Sequence, residues 1–335
     1  MLGLTLEHDP SRALYRLVSR DKPRDVLCSE SREHCEGELV AILEDRHGDG
    51  NVNWPLPTLG GKQFWADHVV LSNWRVQENV HTGHFRLLDP HDTRMAWGSF
   101  EHCRVPLERV RLEHQIAPRS DHLGILLHGR GRSKDAFGKL QSSLETAGYE
   151  VATINYPSSQ RPIREHSEQL ARVLAAFNEI RTVSFVTHSL GAIVLRGFLS
   201  TEALQDSHDL DIGRAVMLAP PNQGSMAAEI LQDWFLFKTI AGEAGQELTP
   251  ENVGRIPAPS CEFGVIAGGD GEAGYNPLLD GDGDGVVTVE STRLKGMRDF
   301  LVVPASHTLV IDNEQTLQAI PSFLESGAFG KPRAE

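Results

Sequence analysis

The sequence predicts an α/β fold, a mostly parallel sheet with helices on both faces, preceded by a small β-rich N-terminal domain. Three observations carry this expectation. From His122 onward, short apolar β-branched runs alternate with amphipathic stretches of helical length. The connections between those runs are long enough for helical crossovers, which parallel strands require. And the run FVTHSLGAIV, Phe185 to Val194, passes directly from a strand pattern into a helix pattern. Roughly the first 115 residues lack this alternation.

Taken in order, GELVAILED, ADHVVLSNWRVQENV, TGHFRLLD and MAWGSFEHCRVPL read as short strands divided by turn signals, the longest being the Gly/Pro/Asn-rich HGDGNVNWPLPTLGGK. A linker around His114 to Asp121 follows, so residues 1–118 form the β-rich domain and 119–330 the α/β domain. Within the latter, HLGILLHG, EVATINYP, TVSFVTHS, GRAVMLAP, EFGVIAG and FLVVPASH read as six strands. KDAFGKLQSSLETAGY, IREHSEQLARVLAAFNEI, the stretch after Ser189 and a closing segment near Asn313 to Leu324 read as helices.

Composition narrows the function classes. A net charge of −14 over 335 residues repels phosphates, which excludes nucleic acid as the expected partner. No apolar run is long enough to span a bilayer. The start, MLGLTLEHDPSR, has neither a basic region nor a cleavage pattern, and the cytoplasm is the expected compartment. Cys28, Cys35, Cys103 and Cys261 form no C-x-x-C pair; they are expected as thiols, with Cys28 and Cys35 near enough to pair under oxidising conditions.

Ser189 sits on the strand-to-helix turn itself. Such a turn strains its central residue and needs small residues two positions either side, as in G-x-S-x-G. Here they are Thr187 and Gly191, and the threonine departs from that pattern. A helix N-cap is the competing reading of the serine alone. The other strand ends weigh against it. GILLHGRGR ends in His128, Gly129, Arg130 and Gly131; FLVVPASH ends in His307; and LLDGDGDGVVTVEST supplies carboxylates between them in the chain. Functional groups of a parallel sheet gather at such carboxyl ends. Serine, acid, histidine is the chain order of a hydrolase triad on this architecture.

With LLHGRGR, VTHSLGA, LAPPNQGS, DGVVTVEST and PASHT in place, residues 121–329 resemble the α/β-hydrolase lipases and esterases, particularly bacterial triacylglycerol-lipase-like members. The resemblance implies that Asp284 is the triad acid, that the backbone N–H of Arg130 is an oxyanion donor, and that the fold is the α/β-hydrolase fold. Ser189 then attacks, His307 serves as general base and acid, Asp284 orients His307, and the N–H groups of Leu190 and Arg130 meet the oxyanion. No cofactor or metal is implied. The expected substrate is a small-molecule ester or lipid with an apolar acyl group, with transient membrane-surface contact. The same triad serves thioesterases, amidases and acyltransferases, and a hydrolase fold retained only for binding is a further alternative.

Several residues carry second readings. Asp280, Asp282, Asp284 and Gly285 match the first half of a calcium loop, but its twelfth position is Ser291 and holds no glutamate. Asp270 and Asp282 are the alternative triad acids. His188 is expected to pack or hydrogen-bond. His81 and His84, with His91, His102 and Cys103 nearby, would point to opposite sides of an extended segment and not chelate. Ile230, Trp234, Phe237 and Ala241 share a helical face that would either cap the crevice or pack on the sheet.

Overall fold

The computed structural model describes residues 4–9, 14–19, 26–30, 56–57, 62–177, 180–201, 210–224, 247–272, 274–276, 279 and 281–330. GELVAILED, Cys35, Asp280 and the face of Ile230, Trp234, Phe237 and Ala241 lie outside them. The N-terminal part contains β1 (Leu4–Asp9), β2 (Leu14–Ser19), β3 (Val26–Glu30), β4 (Leu56–Pro57), β5 (Trp65–Leu71), β6 (Trp74–Asn79), β7 (Phe85–Leu88), β8 (Thr93–Gly98) and the helix α1 (Phe100–Glu113). The first three form an antiparallel sheet in order β1-β2-β3. β8 pairs antiparallel with both β4 and β7. ADHVVLSNWRVQENV is two strands, broken at Ser72 and Asn73, whose φ values of 44° and 69° suit a tight hairpin turn.

MAWGSFEHCRVPL, expected to be wholly strand, changes state at Ser99. The Ser99 hydroxyl accepts the N–H of His102 and caps α1. Phe100, Cys103, Leu107 and Val110 then recur at helical spacing, and Cys103 and Leu107 are buried. The helix packs on β7 and β8. His81 and His84 fall in an exposed turn instead of an extended run.

The chain divides into two compact units. Met1–Thr58, Trp74–Val76 and His84–Ala117 make the first; Leu59–Asn73, Gln77–Gly83 and Pro118–Glu335 make the second. Two segments that precede residue 118 thus group with the second unit, and buried hydrogen bonds explain why. Asp67 is fully buried, with its Oδ2 accepting the Asn155 N–H at 2.6 Å and its Oδ1 accepting Gln77 Nε2 at 2.7 Å. Asn155 in turn donates to the Lys62 and Trp65 carbonyls, and Gln169 donates to the carbonyls of Asp67 and Asn155.

The second unit holds β9 (His122–Leu127), α2 (Gly138–Thr146), β10 (Glu150–Ile154), α3 (Ile163–Leu174), β11 (Thr182–His188), α4 (Leu190–Leu199), β12 (Asp211–Leu218), the short α5 (Pro250–Gly254), β13 (Phe263–Gly269), β14 (Asp299–Pro304) and α6 (Glu314–Ser326). The six strands of its parallel sheet are the six expected ones. All pair parallel in order β10-β9-β11-β12-β13-β14. The alternation of strand side chains separates two apolar cores. Leu123, Ile125 and Leu127 of β9 face α3 and α4, whereas Leu126 faces α2 and α6. From β9 the chain steps outward to β10, then back past β9 to β11, so the order reverses between β9 and β11, the kind of point at which open parallel sheets bind ligands beyond the strands' carboxyl ends.

Arg196, buried on α4, joins the segments flanking residues 225–246. Its guanidinium donates to the carbonyls of Asn222, Val253, Ile256 and Pro257 and to Asn222 Oδ1. Arg196→Met would strand these acceptors without water, so we expect a loss of about 3–5 kcal/mol, the range for breaking a buried charged group's network. Urea unfolding measures it; a loss under about 1 kcal/mol would show that the carbonyls find other donors.

Candidate active site

The site begins with a steric constraint. β11 ends at His188 and α4 begins at Leu190, leaving Ser189 alone to make the turn at φ 52°, ψ −122°. A side chain at positive φ costs on the order of 1–3 kcal/mol and persists only where its surroundings enforce it. Enforcement comes from β9: a Cβ at Gly191 would stand 2.4 Å from the Leu127 carbonyl oxygen, so only glycine lets α4 start this close. Thr187, opposite Leu127 in the sheet register, is fully buried there, so the first small position of the pattern tolerates a threonine.

His307 arrives from the other end of the sheet, three residues after β14. Its Nε2 lies 2.9 Å from Ser189 Oγ and its Nδ1 2.7 Å from Asp284 Oδ2. The Asp284 side chain is fully buried and its Oδ1 accepts the N–H groups of Val286 and Val287, each at 2.9 Å. Three hydrogen bonds therefore hold this carboxylate in a tight turn. The backbone of His307 is fixed too. Its N–H donates to the Asp284 carbonyl at 2.9 Å, and its carbonyl accepts Nε2–H of His188 at 2.8 Å. His188 thus hydrogen-bonds, as its strand position suggested, and burial drives its pKa down to about 3, so it stays neutral.

Asp270 and Asp282 are occupied elsewhere. The Asp282 carboxylate accepts the N–H groups of Asp270 and Gly271, and Asp270 Oδ1 accepts those of Glu272 and Gly274. Both brace the loop that carries Asp284. Among the described residues, no group of three or more His, Cys, Asp or Glu side chains could hold a metal ion.

The turn after β9 lies against Ser189: a Cβ on Gly129 would meet His188 Nδ1 at 2.8 Å and Ser189 Cβ at 3.1 Å. His128 Nε2 accepts the Tyr156 N–H at 3.4 Å, which leaves Nδ1 as the donor, and Nδ1–H donates to the Gly129 carbonyl at 2.8 Å. The Arg132 N–H donates to the same oxygen at 3.2 Å. Because the peptide is planar, pinning the Gly129 carbonyl from one side directs the Arg130 N–H to the other. The Leu190 N–H opens α4, where first-turn N–H groups have no partner within the helix.

This turn is braced from outside the six-stranded sheet. Gly131 N–H donates to Ser158 Oγ at 3.0 Å; Ser158 Oγ and the Ser159 N–H donate to Gln63 Oε1, each at 3.1 Å; and Gln63 Nε2 donates to the Arg132 carbonyl. Nothing in the sequence around Gln63 signals this role, since an isolated glutamine in a strand-rich region has no characteristic spacing.

A parallel sheet with a reversal point, a strained serine on the central strand-to-helix turn and a following histidine from the last strand define the α/β-hydrolase fold. No family model matches the chain, and a search of curated proteins finds no match. Solved structures do. The mature form of the Bacillus licheniformis lipase BlEst2 is 18% identical with a TM-score of 0.50, covering 61% of this chain and 91% of that one. Its propeptide form is also 18% identical, with a TM-score of 0.51, covering 65% of this chain and about half, 53%, of the other. At this identity the likeness establishes the fold.

Three buried histidines tie stability to pH. Burial holds His128 at a pKa of about 4 and His166 and His188 at about 3, against 6.5 in an unfolded chain. The unfolded state therefore binds the extra protons: the contribution is complete above pH 6.5 and is lost as pH falls toward these folded values. Each histidine adds up to ~1.4 kcal/mol of loss per pH unit. Unfolding free energy measured from pH 7 to 4.5 should fall accordingly, and His166→Gln should reduce the slope by one proton's share. An unchanged slope in that variant would mean that His166 is protonated in the folded state.

Proposed function

We propose that this chain is a serine hydrolase of carboxylic esters with apolar acyl groups, acting through an acyl-enzyme. The observation that carries the reading is the hydrogen-bonded line from buried Asp284 through His307 to Ser189, at the sheet's reversal point. That the same fold is found in the Bacillus licheniformis lipase BlEst2 supports the ester class.

The Ser189 hydroxyl donates to His307 Nε2, which accepts its proton as Oγ attacks the ester carbonyl. Asp284 holds the imidazole with Nδ1–H toward itself and offsets the charge the ring gains. The carbonyl oxygen, now an alkoxide, is met by the Leu190 and Arg130 N–H groups. His307 passes its proton to the departing alcohol oxygen, leaving Ser189 acylated. Water then attacks by the same route, and the acid departs with Ser189 restored. In this reading His188 and His128 position the reacting groups through the His307 and Gly129 carbonyls.

A fluorophosphonate should label the protein on Ser189, and Ser189→Ala should abolish labelling and ester turnover. Persisting turnover in that variant would overturn the proposal. Asp284→Asn should leave KM nearly unchanged and lower kcat by up to about ten-thousandfold, because the ring adopts the wrong tautomer. Matched ester, thioester and amide substrates separate this reading from a thioesterase or amidase.

Gln63→Ala should lower kcat for a simple ester by about tenfold, less than the hundredfold or more for losing an oxyanion donor outright, with little change in KM. Steady-state kinetics beside a thermal melt checks this. A lowered melting temperature with full kcat would make Gln63 structural only.

A further inference from the structure

Two peptide planes flank Gly129 in the turn after β9, and a residue without a Cβ does little to orient either of them. A side chain cannot replace the glycine, since a Cβ there would stand 2.8 Å from His188 Nδ1. Hydrogen bonds set the planes instead. The Gly129–Arg130 plane is fixed by the His128 ring and the Arg132 N–H, which both donate to the Gly129 carbonyl. The His128–Gly129 plane is fixed by Tyr156, whose hydroxyl donates to the His128 carbonyl. That carbonyl also borders the start of α4, where a Cβ on Gly191 would stand 3.0 Å from its oxygen.

Tyr156 meets His128 in two further ways. Its buried ring stacks on the imidazole, with centroids 4.2 Å apart and planes inclined by 10°. Its main-chain N–H donates to His128 Nε2 at 3.4 Å, which selects the Nδ1–H tautomer that the Gly129 carbonyl requires. Burial pushes the pKa of the phenol up, so the hydroxyl keeps its proton and remains a donor. Two residues on, Ser158 accepts the Gly131 N–H, so the segment after β10 grips the turn at both ends. From this arrangement we infer that Tyr156 is a positioning residue for the oxyanion: by fixing the His128–Gly129 peptide and the His128 tautomer, it aims the Arg130 N–H at the point where the alkoxide forms. The inference rests on the ester-hydrolase reading for the alkoxide and on these hydrogen bonds for the shape of the turn.

Tyr156→Phe keeps the stacked ring and the main-chain N–H and removes only the hydroxyl. It should lower kcat for 4-nitrophenyl butyrate by about tenfold or more, short of the loss from deleting an oxyanion donor outright, with KM changed by less than about twofold. Binding of a trifluoromethyl ketone, which forms a tetrahedral adduct on Ser189, should weaken to a similar degree. Ile320→Val, at a buried position on α6, controls for lost stability alone: it should lower the melting temperature and leave kcat unchanged. Full kcat and undiminished ketone binding in folded Tyr156→Phe would overturn the inference. Two measurements need no turnover. Nitrogen NMR shifts of the unmutated protein should show His128 as the Nδ1–H tautomer, and an Nε2–H tautomer would overturn the inference whether or not the variant folds. Amide hydrogen exchange over residues 128–132 should quicken by about tenfold or more in Tyr156→Phe while β11 and β12 keep their protection; exchange unchanged in the turn would also sink it. Absent labelling and ester turnover in the unmutated protein would instead remove the hydrolase reading, with exchange still deciding whether Tyr156 holds the turn.

Discussion

The arrangement depends on one close approach, that of Gly191 to the Leu127 carbonyl. It brings the start of α4 down onto the end of β9, and the chain then reaches α4 from β11 only by turning sharply at Ser189. Two consequences follow together. The serine side chain is thrust out of the turn, and its Cβ is brought beside Gly129, so the hydroxyl and the turn after β9 share one small volume. Had residue 191 carried a Cβ, both would shift.

Around that fixed point, the other parts are held mainly by backbone groups. His307 is secured by its own N–H and carbonyl as well as by its ring, and the Gly129 carbonyl takes two donors. Neutral buried histidines suit this work, because an uncharged imidazole offers one donor and one acceptor in a fixed plane without the cost of burying a charge. Burial keeps His128 and His188 neutral, and their hydrogen bonds make that neutrality useful.

The six strands and their helices were legible because each has a strong period and a buried face, and Ser189, Asp284 and His307 because their neighbours carry recognisable turn chemistry. The helix at Phe100–Glu113 was not read. Its cap, Ser99, directly follows a strand, and its Pro106 disguises the helical spacing. Thr187 looked like a defect in the turn, whereas the backbone crowding falls on Gly191 alone. Gln63 and Asp67 were invisible for a different reason. Their partners, Ser158 and Asn155, lie some ninety residues on, and a single polar side chain carries no trace of a partner so distant.

The separation along the chain has a further meaning. Ser189 and His307 are 118 residues apart, and the strand that delivers His307 is the last and outermost of the sheet. Contacts this distant form late, after the cost of closing long loops has been met. During synthesis the turn at Ser189 therefore precedes the strand that delivers His307. Under the proposed hydrolase reading, Ser189 gains its base only when the edge strand docks, so an unfinished chain would carry a serine without one.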